Sequence, residues 1–253
     1  MPDRYPRAVL VLLPPSETKA TGGRRVPLDL ATLSHPELNP VRRRIIDALV
    51  GLAADVDASA VALGLGPTQR HEVARNATLL SAPTLPALRR YTGVLYHALD
   101  ARTLTPTARS RLAVGSALFG LLRAQDAVPA YRLSAGSTLP GVGGLRTLWR
   151  PVLSPVLARA DELVVDLRSG AYAALAPVPG AVTATVLTEA PDGARAVVSH
   201  VNKAHKGLLA RALASSRAQP HDAAGVARVA ARAGLRVELA GEHEVVVLTD
   251  AHR

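Results

Sequence analysis

Residues 8–13 read Ala-Val-Leu-Val-Leu-Leu and stop at Pro14-Pro15. This run is too short to cross a membrane, and it ends in prolines rather than in a signal-peptidase-like site. A strand apolar on both faces must be covered on both sides, so the run is expected to be the central strand of a sheet flanked by helices. The polar segment that follows, Ser16-Glu17-Thr18-Lys19 up to Gly22-Gly23, leaves the sheet at a strand end. Open α/β sheets often place their sites there.

The rest of the chain alternates between the two periodicities. Pro40 with Val41, Ile45, Ile46, Leu49 and Val50 has helical spacing, with Asn39 as N-cap. Residues 58–63 and a polar helix through Asn76 flank Gly64-Leu65-Gly66-Pro67, and a partly helical stretch covers 88–99 around Gly93. A short strand at 112–115 precedes a glycine-rich loop over 129–144. Residues 145–160 read as a helix interrupted by Pro151 and Pro155, and 162–166 as a strand. Val182–Leu187 and Arg195–Val201 are β-rich around Pro191-Asp192-Gly193, a hairpin signal. Helices are expected over 202–215 and 223–233, and strands over 236–239 and 244–249. No repeat or linker divides the chain. The expectation is one mixed α/β domain over residues 1–253, with a mixed, largely buried central sheet flanked by helices.

Composition removes several chemistries. There is no cysteine, which excludes disulfides, thiolate metal sites and a thiol nucleophile, and fits a cytoplasmic location. The histidines at 35, 71, 97, 200, 205, 221, 243 and 252 lack H-E-x-x-H or facial-triad spacing, and no Walker A, G-x-G-x-x-G or G-x-S-x-G pattern occurs. No metal site, cofactor or membrane partner is expected.

The formal charge of +10 suggests anionic company, nucleic acid or a small anionic ligand. Lys19, Lys203 and Lys206 are the only lysines, so the remaining 27 of the 30 basic residues are arginine. That excess reads mostly as compositional bias. A lysine that persists against such a bias marks a place where a compact ammonium of adjustable pKa is needed.

The motifs cluster around those lysines. Ser16, Glu17, Thr18 and Lys19 offer hydroxyls, a carboxylate and an amine beyond the first strand. His200-Val201-Asn202-Lys203-Ala204-His205-Lys206-Gly207 is expected at a strand-to-helix junction, where early-helix N–H groups favour anions. Tyr131 and Arg132 introduce the glycine-rich loop and suit a planar anionic ligand. Leu63-Gly64-Leu65-Gly66, within an element spanning about 58–76, looks like the turn of a helix-hairpin-helix, with Arg70 and Arg75 on the helix after it.

Several ordered segments together resemble the YaaA family of bacterial peroxide-stress proteins. They are Leu13 to Lys19, Tyr91 to Tyr96, Gly115 to Arg123, Tyr131-Arg132-Leu133, Asp166 to Tyr172 and Asn202 to Gly207. The resemblance implies a cytoplasmic α/β protein with a basic cleft. It also implies sequence-independent DNA binding through a helix-hairpin-helix-like element, and protection against hydroxyl radicals by limiting free iron. Gly64, Gly66, Arg70 and Arg75 mark where that element would lie. Phe119 stands where members commonly have tyrosine.

Two readings of function stand side by side. One is a DNA-binding stress protein. The other is an enzyme acting on a small phosphorylated or carboxylated substrate. In that enzyme Lys19, Lys203 and Lys206 converge with Glu17, and Ser16, Thr18, Tyr131, Arg132, Asn202 and His205 bind the ligand. Direct iron binding through histidines and carboxylates is a third.

Overall fold

All five residues of β1 (Val9–Leu13) are buried, as a run apolar on both faces requires. The computed structural model describes residues 9–23, 26–197 and 199–250, leaving aside the side chains of Ser199 and His200. Ala8, expected to open this strand, lies outside the described residues.

After β1 the chain forms α1 (Asn39–Leu52), α2 (Val56–Leu63), α3 (Val73–Ala77), the two-residue β2 (Leu85–Pro86), α4 (Ala87–Arg90), α5 (Val94–Leu99) and α6 (Pro106–Ser110). A hairpin of β3 (Leu112–Ser116) and β4 (Gly120–Arg123) comes next. Three two-residue strands, β5 (Ala127–Val128), β6 (Thr138–Leu139) and β7 (Gly143–Gly144), lead into α7 (Leu145–Ala158). The chain closes with β8 (Leu163–Asp166), α8 (Gly170–Ala173), β9 (Val182–Glu189), β10 (Arg195–Ala196), α9 (Ser199–Ser215), α10 (Ala223–Arg232), β11 (Arg236–Gly241) and β12 (Glu244–Asp250).

Among the described residues, eight strands make one sheet in the order β11-β12-β9-β8-β1-β3-β4, with β10 paired to β9. The inner pairs β1–β3, β1–β8, β8–β9 and β9–β12 are parallel, and the outer hairpins are antiparallel. The sheet is therefore mixed, with its parallel part inside. Register places Leu13 beside Val114 and Leu12 beside Asp166. The carboxyl ends of β1, β3 and β8 thus lie on one edge, and the loops leaving them are neighbours.

Two buried groups fix the hairpin side of this core. Arg42 of α1 is fully buried and donates to the carbonyls of Phe119, Leu121 and Ser34 and to Asn39 Oδ1. Asn39 is therefore not the expected N-cap: it is the first helical residue, and its amide nitrogen donates to the carbonyl of Leu30. Trp149 of α7 is also fully buried and donates Nε1–H to the carbonyl of Ala117 at 2.8 Å. It anchors α7 strongly enough that the helix runs unbroken through Pro151 and Pro155, where an interruption was expected. Leu145, Leu153, Val156 and Leu157 share its buried face and offset the hydrogen bonds the prolines remove.

A second correction concerns the late basic motif. The β-rich reading of Arg195–Val201 holds only for Arg195–Ala196, and α9 begins at Ser199. Val197 is exposed, so this valine makes no core strand, while Leu209, Ala210, Leu213 and Ala214 bury one helical face. Asn202, Lys203, His205 and Lys206 thus lie within a helix rather than at a junction. Gly207 lets α9 approach α5, since a Cβ there would sit 2.3 Å from the carbonyl oxygen of Leu95.

The β3–β4 turn requires glycine at 120. Its φ is +72°, and a Cβ would meet the Trp149 ring at 2.7 Å. Gly120→Ala should cost about 3 kcal/mol or more, because both the backbone and a fully packed ring resist it. Urea denaturation measures this; an unchanged midpoint would show that the hairpin does not depend on that contact.

Candidate functional site

The segment after β1 is stitched to the chain before α5. Lys19 and Tyr91 form an isolated antiparallel bridge, Thr92 N–H donates to the carbonyl of Thr18, and Tyr96 O–H donates to that of Pro14. Ser16 Oγ and Thr18 Oγ1 are 3.1 Å apart and back onto Gly93, where a Cβ would meet them at 3.0 and 3.1 Å. Lys19 is 7% exposed. Its Nζ donates to the carbonyl of Ser16 at 3.0 Å and reaches that of Glu17 at 3.4 Å. The ammonium lies 4.3 Å from the centre of the Tyr131 ring and 5.7 Å from that of Tyr91.

The tyrosines are held in turn. Tyr131 Oη is 2.8 Å from both Tyr91 Oη and Ser116 Oγ, at the end of β3, and Ser116 Oγ accepts from Phe119 N–H. Phe119 meets Tyr131 edge-on, 5.5 Å between centroids. Burial pushes the Tyr91 phenol up to about 12 and raises that of Tyr131 well above its ordinary value, so both stay protonated.

A chain of charges borders this amine. Arg132 pairs with Glu17 and lies 3.6 Å from Glu72 Oε2, which in turn is 3.8 Å from Arg75 Nη1. Asn76 of α3 clamps the Arg132 backbone, donating Nδ2–H to its carbonyl and accepting its N–H. The glycine-turn element therefore packs its last helix against the lysine site. Gly64 ends α2 in the left-handed region at φ +63°, and the carbonyl of the Gln69 side chain accepts from Gly66 N–H. Arg70 pairs with Asp57.

Beyond β8, Asp166 and Arg168 form a buried bidentate pair at 2.9 and 2.7 Å. Gly115 makes room for that arginine, since a Cβ there would be 2.7 Å from its Cδ. Lys206 of α9 donates to the carbonyl of Leu167 at 3.3 Å; burial lowers its pKa, with Asp166 opposing.

The structure thus brings Lys19, Glu17, Tyr131 and Arg132 into one contact set, with Ser16 and Thr18 in the adjoining loop. Lys206 stands one strand away, at the end of β8. Lys203 is exposed on α9, and His205 Nδ1 is 3.1 Å from the carbonyl of Val201. Asn202 is half-buried with no polar partner among the described residues. The side chain of His200 lies outside the described residues.

Motif reading missed Glu72, Ser116, Asp166 and Arg168 as site residues. Three of these fall in segments that carried the family resemblance. Glu72 had no such signal, because it reaches the site only through the packing of α3.

A mixed sheet whose parallel strands end in a buried amine, hydroxyls and paired arginines is an α/β protein with a polar site at its carboxyl edge. The family model described as peroxide stress protein YaaA matches residues 9–238, and the chain belongs to that family. A UPF0246 protein of Corynebacterium efficiens is 51% identical over 245 residues, covering 95% of this chain and 99% of that protein. One from Corynebacterium glutamicum is 46% identical over 240 residues, covering 93% and 97%. One from Streptomyces coelicolor is 44% identical over 241 residues, covering 91% and 92%. Among the described residues no helix is long and apolar enough to cross a membrane, and no group of three or more His, Asp or Glu gathers as metal ligands.

Burial pulls the Lys19 amine down from 10.5 to about 8, with Glu17 opposing and Arg132 adding to the fall. Between those two values the unfolded lysine holds a proton that the folded one has lost, so stability rises with pH across the window. Lys19→Met removes this contribution. The stability difference between wild type and variant should shift by about 3 kcal/mol across it, measured by urea denaturation on either side. Parallel pH profiles would contradict a buried, depressed amine.

Proposed function

We propose that the chain serves peroxide-stress protection through the Lys19 site, where it binds a small anionic substrate and uses the lysine amine as base or nucleophile. The observation that carries this reading is an amine held near pKa 8, buried over Tyr131 with Arg132 beside it. Near neutral pH such an amine exchanges protons readily, which an ordinary surface lysine does not. Arg132 and Arg75 supply positive charge for the substrate, and Glu72 and Asn76 hold Arg132 in place. Tyr91 and Tyr131, kept protonated, present their ring faces to the amine while their hydroxyls bond each other and Ser116. Lys206 adds positive charge at the end of β8.

Survival under peroxide tests the reading. In a host lacking its own member of the family, the wild-type chain should restore growth under peroxide, and Lys19→Arg should fail while remaining folded. Arginine keeps the charge but cannot lose its proton. Full rescue by Lys19→Arg would reduce Lys19 to an electrostatic role.

DNA binding is the second reading, and the observation favouring it is the α2 turn. A left-handed glycine ends one helix, and a second helical segment starts at Pro67, on a chain of charge +10. Limiting free iron belongs to the same reading, as an indirect consequence rather than through an iron site. Affinity for a random duplex should fall steeply and log-linearly with salt, and Arg70→Glu should weaken it. No binding at low salt would end this reading.

A further inference from the structure

Three adjoining cavities of about 400, 580 and 420 Å³ open along the segment from Leu85 to Arg102 and border the loop after β1 at Ala20, Thr21 and Gly23. Arg89 and Arg102 line all three, so the cavities are lobes of one groove with two guanidiniums at their junction. Each lobe has the size of a small-molecule site.

The two arginines differ from the buried ones. Arg42, Arg90 and Arg168 spend their donors on carbonyls or carboxylates inside the protein. Arg89 and Arg102 are exposed, and neither side chain has a partner among the described residues. Their backbone is not loose. Arg109 donates Nε–H to the carbonyl of Ala101 and Nη2–H to that of Arg102, both at 2.9 Å. This brace holds the Arg102 backbone at the groove, across from α4, which carries Arg89. The acid on the lining, Asp100, already accepts from Thr103 Oγ1 at 3.1 Å. The first lobe is floored by the buried side chains of Leu88 and Ala101 and rimmed by Gln125.

We infer that this groove binds a small phosphomonoester, its dianionic head between Arg89 and Arg102 and its uncharged body in the lobe over Leu88 and Ala101. Two forked guanidiniums match a dianion that offers three oxygens, and a singly charged carboxylate leaves one of them unused. The head group takes its charge from Arg89 and Arg102 rather than from Lys19, although the second lobe shares Tyr91, Thr92, Gly93 and Tyr96 with the Lys19 neighbourhood.

Calorimetry with the full chain tests it, using phenyl phosphate, inorganic phosphate and benzoate. Phenyl phosphate should bind saturably, and inorganic phosphate and benzoate more weakly. Arg89→Gln and Arg102→Gln should each weaken phenyl phosphate about tenfold or more, with unchanged thermal midpoints, because neither side chain holds the fold together. Arg228→Gln, on the exposed face of α10, should bind as wild type does. The inference is overturned if wild type shows no saturation by about 10 mM. It is equally overturned if benzoate binds as well as phenyl phosphate. Binding that survives both groove substitutions places the anion elsewhere, at Arg132 for instance, and also overturns it.

Discussion

An ammonium cannot be buried without compensation, and Lys19 sets the terms for everything around it. Its three donors are met by the carbonyls of its own loop and by the face of the Tyr131 ring. That loop must therefore curl back on itself, which the bridge to Tyr91 and the bond from Tyr96 to Pro14 enforce. The ring must be fixed as well, which Ser116, Tyr91 and Phe119 accomplish from β3, the segment before α5 and the hairpin turn. The loop after β1, the segment before α5 and the β3–β4 turn are thereby locked into one polar edge.

Arginine does most of the locking elsewhere. Arg42 joins α1 to the β3–β4 hairpin, and Arg168 ties the end of β8 to the residues around α8 through Asp166, Tyr172 and Ala176. Arg90 donates to the carbonyls of Val128, Pro83 and Gly22 and binds that of Ala20 as well. A guanidinium can serve several carbonyls at once because its five donors lie in a fixed plane. Compositional bias accounts poorly for such positions. The arginines include buried clamps, surface pairs such as Arg195 with Glu189 and Glu238, and exposed side chains without a partner among the described residues, of which Arg89 and Arg102 share the groove.

Local chemistry made the frame legible. The apolar run at β1, the alternation of periods and the Pro-Asp-Gly turn pointed to a mixed sheet with helices around it. The first-loop residues and Tyr131-Arg132 were found because rare residue types stood out. The misreadings come from tertiary packing overriding local signals. Valines at 197 and 201 suggested a strand, but the apolar face of 209–214 drew the chain into a helix. Pro151 and Pro155 suggested a break, but Trp149 holds α7 together. Glu72 could not be assigned a role from spacing, because Arg132 reaches it from a distant loop, and the Asp166–Arg168 pair is local in sequence but becomes a site feature only through burial at the end of β8. Treating the arginines as background hid Arg42 and Arg168, whose function depends wholly on burial.

The central claim is that the Lys19 amine is buried and depressed. The chain has three lysines, so lysine-selective isotopic labelling yields three side-chain signals, and Lys19→Met identifies one by its loss. An NMR titration of that signal should give a midpoint near 8. A midpoint at the ordinary lysine value of about 10.4 would contradict the account and leave the site without its reactive group.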